Sequence, residues 1–198
     1  MPLATEYQAM FEQLAAAGPT PSVRDLPVAD GRALYRAARA VNPDLPIHNI
    51  SDASLPGPGG DIALRIYQPS GDGPFGILVY FHGGGWVIGD LDTADAVCRE
   101  IATLADLVVV SVDYRLAPEH LFPAAVEDSY AALKWVQDNV RALHGNGKIG
   151  VCGESAGGNL AAVVAQQNRD NEGPPIAFQC LLYPVTDAEM GRPSYRDN

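Results

Sequence analysis

Residues 150–158 of the 198-residue chain read GVCGESAGG, and this stretch decides the fold. It continues the apolar run Ile149 to Cys152 and leads into an alanine-rich segment. The sequence therefore predicts a buried strand, a tight turn and a helix from Ser155 to Gln167. Glycines at positions 153 and 157 leave room for the tight backbone. We expect the Ser155 hydroxyl to stand exposed in the turn, at the N-terminus of the helix.

The same stretch has two other interpretations. It could be a glycine-rich turn in which the serine is incidental. A phosphate-binding loop would need a lysine followed by serine or threonine after Gly158, where the chain has Asn159 and Leu160. The sequence excludes the phosphate loop and leaves the incidental serine as an alternative.

A second glycine-rich stretch, HGGGW at residues 82–86, directly follows the strand predicted at Ile77 to Phe81. A glycine run exposes successive backbone N–H groups without side chains in the way, which suits the stabilisation of a tetrahedral oxyanion. We expect the N–H groups of Gly83, Gly84 and Ala156 to form an oxyanion hole. A flexible loop is the alternative for this stretch, but it does not explain why the stretch occurs together with the serine turn.

The rest of the chain alternates between continuous apolar runs and helical stripes. Such runs are typical of strands that are buried on both faces and joined by helices, which indicates an α/β fold with a mostly parallel sheet. A half-buried edge strand is predicted around Leu64, and two short amphipathic helices open the chain. The further strands and helices are predicted at Leu107 to Val112, Ile176 to Tyr183, Asp92 to Leu104 and Phe122 to Leu143.

Asp113 and Arg115 come just after the strand predicted at Leu107 to Val112. An acid and a base at a buried strand end can indicate acid/base chemistry, but such a pair is more often structural. We expect Asp113 and Arg115 to form a structural ion pair or a hydrogen-bond hub and to take no part in a reaction.

The composition narrows the choice of partners. The chain has 24 acidic and 13 basic residues and a formal net charge of −11, which disfavours nucleic acids and anionic membranes as partners. A small neutral or hydrophobic ligand suits this charge better. No apolar run approaches the roughly 20 residues of a membrane span. The three cysteines show no disulfide or metal spacing, so we expect reduced thiols in a cytoplasmic protein, with no metal and no cofactor.

Taken together, the two glycine-rich motifs resemble those of the hormone-sensitive-lipase family of α/β-hydrolases, which includes microbial carboxylesterases. One departure is Glu154, where that family more often has aspartate. Four further segments match the family as they stand: residues 110–119 (VSVDYRLAPE), 122–125 (FPAA), 157–161 (GGNLA) and 182–184 (LYP).

This resemblance implies an α/β-hydrolase core at residues 46–198 and an N-terminal helical cap segment at residues 1–45. It implies a serine carboxylesterase that hydrolyses short- to medium-chain acyl esters through an acyl-enzyme on Ser155, without a cofactor. We expect His82, Gly85 and Glu154 to support the site, with the ring of His82 fixing the geometry of the loop.

The position of the histidines conflicts with a complete catalytic triad. In this fold the triad residues occur in the order serine, acid, histidine, but no histidine follows Ser155. All four histidines, His48, His82, His120 and His144, precede it. We therefore expect the chain to be the N-terminal part of a longer enzyme. It would lack the last strands and helices together with the catalytic acid and histidine, and it would be inactive alone.

Other functions remain open at this point. The chain could be a non-catalytic ligand-binding member of the fold, like the plant gibberellin receptors that resemble this family, or an inactive fragment. It could also be an interaction protein whose open sheet edge recruits a partner or a second copy, which makes a homodimer an alternative to a monomer.

Overall fold

The structure is a computed structural model that describes residues 4–16, 18, 25–189 and 191–193. The elements follow each other in the α/β order that the sequence predicts. They are α1 (Thr5–Ala16), α2 (Val28–Ala38), β1 (Asn49–Gly57), β2 (Gly60–Gln68), β3 (Phe75–Phe81), α3 (Asp95–Ala105), β4 (Leu107–Val112), α4 (Ala124–Asp138), β5 (Gly145–Glu154), α5 (Ala156–Asp170) and β6 (Ile176–Leu182).

The strands form one sheet in the order β1-β2-β4-β3-β5-β6. β3, β4, β5 and β6 run parallel, whereas β2 is antiparallel to both β1 and β4. This confirms the mostly parallel sheet. β1 is not predicted by the sequence because most of its side chains are exposed and it carries no regular apolar alternation. Its pairing with β2, from Asn49 opposite Gln68 to Gly57 opposite Gly60, places it in the sheet.

The central strands are buried on both faces, which explains their continuous apolar runs. On one face, alternate side chains pack under α4 and α5; on the other face, the intervening ones pack against α3. The first set includes Ile77, Val79, Phe81, Val108, Val110, Val112, Leu133, Val136, Leu160 and Val164, and the second includes Leu78, Tyr80, Cys98, Ala102, Val109 and Cys152.

The element boundaries that differ most from the prediction are the end of α4 and the start of β5. α4 ends at Asp138 and β5 begins at Gly145, whereas the sequence predicts a helix up to Leu143 and a strand from Ile149. The first residues of β5 are exposed or half-buried, so they need no apolar side chains. An extension of this kind leaves no periodic signal.

α1 and α2 lie within the segment predicted as a cap, residues 1–45. The apolar stripe of α1, which includes Phe11 and Leu14, is exposed. In α2 only Gly31 is buried. The role of this segment as a cap stays a prediction.

Candidate active site

Ser155 sits in a sharp turn between β5 and α5. Its backbone has φ 54° and ψ −116°, a left-handed value that is costly for a residue with a side chain. Its N–H donates to the carbonyl of Leu182 at 2.9 Å, and its own carbonyl accepts from the N–H groups of Asn159 and Val185, both at 3.1 Å. The strained conformation is thus held by α5 and by the segment around the end of β6.

The two glycines beside Ser155 are required by close backbone contacts. A Cβ at Gly157 would collide with the carbonyl oxygen of Phe81 and would lie 2.5 Å from that of His82. A Cβ at Gly153 would lie 2.7 Å from the Phe81 oxygen. Phe81 is also the residue that pairs with Gly153 across β3 and β5. The serine turn and the loop after β3 therefore leave the same edge of the sheet in direct contact.

The glycine-rich loop after β3 has the backbone conformation that its sequence suggests. Gly84 and Gly85 both have positive φ values, 123° and 61°. A Cβ at Gly84 would collide with the carbonyl oxygen of Ile88, whose own N–H donates to the Gly84 carbonyl at 3.0 Å. This tight turn holds the backbone of Gly84 in one orientation.

His82 is buried within this loop and stabilises it. Its Nδ1 donates to the carbonyl of Gly83 at 2.8 Å, and its ring stacks on Tyr114 with centroids 4.3 Å apart. The hydroxyl of Tyr114 donates to the His82 carbonyl at 2.6 Å. Burial lowers the pKa of His82 and outweighs the opposing hydrogen bond to Gly83, so the ring is neutral at pH 7. The ring is thus held by its stacking on Tyr114 and by the hydrogen bond of Nδ1 to the loop.

The three predicted oxyanion donors differ in their surroundings. A Cβ at Gly83 would lie 3.0 Å from Cγ of Glu154, and the Gly83 N–H is among the groups that lower the pKa of that carboxyl. The N–H groups of Gly84 and Ala156 bind no backbone acceptor in the part of the chain that the structure describes. Gly84 and Ala156 therefore have free donors at this edge, whereas Gly83 faces a carboxylate.

Glu154 joins three segments at the site. Its carboxylate accepts from Arg39 Nη1 at 2.9 Å and from the hydroxyl of Tyr183. Burial alone would raise the pKa of Glu154, but the hydrogen bond from Tyr183 and the charge of Arg39 outweigh it and lower the pKa. The sequence predicts that Glu154 supports the site but gives no sign of these two partners.

The other three histidines are exposed. His48 and His144 directly precede β1 and β5, at the edge of the sheet opposite Ser155. His120 follows β4 on the same edge as Ser155 and lines a cavity described below.

An apolar cavity of about 480 Å³ lies beside the glycine-rich loop. Gly85 and Trp86 form one wall, and Asn159 and Val163 of α5 form another, beginning one turn after Ser155. Most of the remaining lining is also apolar, which suits a hydrocarbon group.

Arg115 forms a structural ion pair and several hydrogen bonds, as expected, but its partner is not Asp113. Arg115 instead binds Asp128 of α4, through Nε to Oδ2 and Nη2 to Oδ1, both at 2.8 Å, and through its own N–H to Oδ2 at 2.9 Å. Asp113 lines a second, charged cavity with Arg36 and Asp90. Burial, together with the nearby charge of Asp90, raises the pKa of Asp113 to about 6.

The fold agrees with that of known proteins. A family model for the alpha/beta hydrolase fold matches residues 78–198. The chain belongs to the α/β-hydrolase fold family. This α/β-hydrolase is 47% identical to the esterase LipI of Mycobacterium tuberculosis over 182 residues, which cover 87% of this chain and 56% of that protein. It is 51% identical over 163 residues to the carboxylic ester hydrolase LipN of the same organism, covering 79% and 43% of the two chains.

Solved esterase structures share the architecture of this α/β-hydrolase. A hyperthermophilic esterase from the archaeon Pyrobaculum calidifontis has a TM-score of 0.84 and 46% identity, covering 93% of this chain and 60% of that one. A thermostable esterase from Pseudomonas putida has a TM-score of 0.91 and 35% identity, covering 98% and 62%. The chain spans about half the length of the curated relatives it matches.

No helix in ranges 4–16 and 25–189 combines the length and hydrophobicity needed to cross a membrane. In the same part of the α/β-hydrolase, no three His, Cys, Asp or Glu side chains are grouped as metal ligands would be.

Proposed function

We propose that this α/β-hydrolase is a serine carboxylesterase acting on short- to medium-chain acyl esters. The observation that carries the proposal is the strained backbone of Ser155, which packs against a glycine-rich loop with free N–H donors. Strain of this kind persists only where the surroundings enforce it, and it is typical of functional residues. The esterases among its relatives support the same activity.

In the proposed reaction, the hydroxyl of Ser155 attacks the ester carbonyl and forms an acyl-enzyme, which water then hydrolyses. The N–H groups of Gly84 and Ala156 stabilise the oxyanion of each tetrahedral intermediate. We assign the same role to Gly83, whose N–H also faces Glu154. Gly85 supports the loop, and no cofactor is needed.

A base must deprotonate Ser155, and His82 is unsuited because its ring is buried, stacked and bonded within the loop. We propose that an acid and a histidine downstream of Asn198 complete the triad, in the order that the fold requires. Residues 1–198 alone would then hydrolyse esters only at the residual rate that the oxyanion donors supply.

The apolar cavity beside Trp86 supports a hydrophobic substrate group, and we propose that the acyl chain binds there. A cavity of about 480 Å³ accommodates a short or medium chain.

The cellular setting and assembly are also proposals. Cys98, Cys152 and Cys180 are free thiols, which supports a reducing, cytoplasmic location. β6 is the last strand of the described sheet, and Phe178 and Tyr183 at this edge are exposed. Pairing of this edge with a second copy, giving a homodimer, is the alternative to a monomer. The net charge of −11 supports the absence of nucleic-acid binding.

The test compares two proteins: the 198-residue chain, and a longer protein that includes any coding sequence after Asn198. Hydrolysis of nitrophenyl acetate and butyrate should occur in the longer protein, and Ser155→Ala should lower kcat by several orders of magnitude. His48→Asn, at an exposed histidine on the opposite edge of the sheet, should retain turnover. Unchanged turnover in the Ser155→Ala protein would refute the proposal. Stoichiometric binding of an ester without turnover would favour the receptor-like alternative.

A further inference from the structure

Glu154 is the residue through which the N-terminal segment reaches the serine turn. It is the last residue of β5 and directly precedes Ser155. Its side chain is only 12% exposed and forms an ion pair with Arg39, at the C-terminal end of α2. Arg39 thus spans more than a hundred positions of sequence to bind the neighbour of the proposed nucleophile.

Arg39 is itself held in place. Its guanidinium lies over the ring of Tyr35, 4.6 Å from the centroid, which restricts the rotamers it can adopt. Among the described residues it forms the only ion pair to Glu154. A carboxylate so shielded from water needs such a partner to remain charged and fixed.

The other side of Glu154 is packed against the glycine-rich loop. A Cβ at Gly83 would lie 3.0 Å from Cγ of Glu154 and 3.1 Å from its carbonyl oxygen, so this side chain fills the space beside the loop. The Gly83 N–H also faces the Glu154 carboxylate and is among the groups that lower its pKa. The backbone of Ser155 is only one peptide bond away from Glu154.

We propose that Arg39 is a positioning residue for ester hydrolysis, acting through Glu154 to hold the Gly83 peptide and the Ser155 turn in reactive register. This inference rests on the proposed function, because it concerns the same site. If Arg39 has this role, α2 must be docked for kcat to be high, and not only for the substrate to bind.

The same ion pair could serve only to dock α2 on the core. A second arginine of α2 provides a matched control that separates the two roles. Arg36 pairs with Asp90 through Nε and Oδ2 at 2.6 Å, and its side chain is 58% exposed, against 41% for Arg39. It docks the same helix but does not touch Glu154. A merely structural role for Arg39 predicts that losing either arginine has the same effect.

The test measures kcat and KM of the full-length protein with nitrophenyl butyrate. Arg39→Ala should lower kcat about 10- to 100-fold, the range typical of small misplacements of reacting groups, while KM changes little. Arg39→Lys should restore part of kcat, and Arg36→Ala should leave it nearly unchanged. In a Glu154→Gln background, Arg39→Ala should have almost no further effect on kcat, because the group it acts through is already altered.

Three outcomes would overturn the inference. Equal effects of Arg39→Ala and Arg36→Ala on kcat would show that the ion pair only docks α2, as would a loss confined to KM. Full additivity with Glu154→Gln would show that Arg39 acts by another route. Labelling of Ser155 by a fluorophosphonate probe separates this inference from the proposed function: a wild-type protein with neither labelling nor turnover would refute both together.

Discussion

The carboxyl edge of the sheet has two halves that are held together by different forces. In the glycine-packed half, at the ends of β3 and β5, backbone atoms touch and leave no space for a Cβ at Gly157 or Gly84. In the charged half, α2 lies on the loops after β3 and β4, and Arg32 and Arg36 pair with Glu119 and Asp90. Steric contact fixes the first half, and ion pairs and hydrogen bonds hold the second.

This difference decides how each half tolerates change. Backbone contacts cannot adjust, so a single added methyl group must displace a strand or a helix. Partly exposed ion pairs are worth little individually and are screened by salt. The glycine-packed half should therefore behave as a rigid platform for the reaction, while the charged half should respond to charge, salt and pH.

The largest expected effect comes from adding one methyl group to the glycine-packed half. Gly157 lies in α5, where alanine would normally stabilise a helix by about 0.5–1 kcal/mol. Here the added Cβ would collide with the Phe81 oxygen, so the substitution should destabilise the protein instead. Gly157→Ala should lower the free energy of unfolding by about 4 kcal/mol. Urea denaturation measures this. Gly191→Ala, where a Cβ meets nothing within 4 Å, is the control. A stable Gly157→Ala protein would show that this contact is soft.

A second change tests whether this rigidity serves the reaction. Gly84→Val should turn the N–H donor away from the oxyanion and cost about 3–4 kcal/mol of transition-state stabilisation, seen as a fall in kcat. Gly147→Val, which also has a positive φ and open space at its Cβ but lies near the start of β5, should cost much less. Steady-state kinetics of the full-length protein decide it. Equal kcat values for both variants would remove Gly84 from the oxyanion hole.

A third change compares the exposed ion pairs of the charged half with a buried one, between Arg115 and Asp128 of α4. Asp128 is fully buried and makes three hydrogen bonds to Arg115, so Asp128→Ala should lower the free energy of unfolding by about 2–3 kcal/mol. Its neighbour Glu127 reaches Arg115 only at 3.5 Å and is exposed. Glu127→Ala should change the unfolding free energy by less than about 0.5 kcal/mol. Equal losses in denaturant titrations of the two variants would contradict this ranking.

The smallest effect depends on pH. The pKa of Asp113 is raised to about 6, so the folded state holds this proton more tightly than the unfolded chain. Asp113 therefore lowers stability as pH rises from about 4 to 6. Asp113→Asn should raise the unfolding free energy by about 1–2 kcal/mol at pH 8 and leave it unchanged at pH 4. Exposed Asp72→Asn serves as control. An equal gain in unfolding free energy at pH 4 and pH 8 would show that the effect does not come from the ionisation of Asp113.

The residues that the sequence predicts well are those whose role depends on local chemistry. β4 spans Leu107–Val112, as its apolar run predicts, because burial on both faces leaves a continuous signal. The turn at Ser155 is also found at its expected place, because the glycines that permit it lie two positions away on either side. β1 escapes prediction because its place in the sheet comes from pairing with β2 and not from its own side chains.

The sequence by itself determined the α/β class, the glycine-rich loop and the serine turn. Strand burial and tight turns are set by neighbours along the chain, and they leave a pattern that can be read. Only the tertiary structure decided that Arg115 binds Asp128 and that Arg39 binds Glu154. An ion pair needs two side chains within about 4 Å, and chain folding alone determines which of the many acids meets a given arginine.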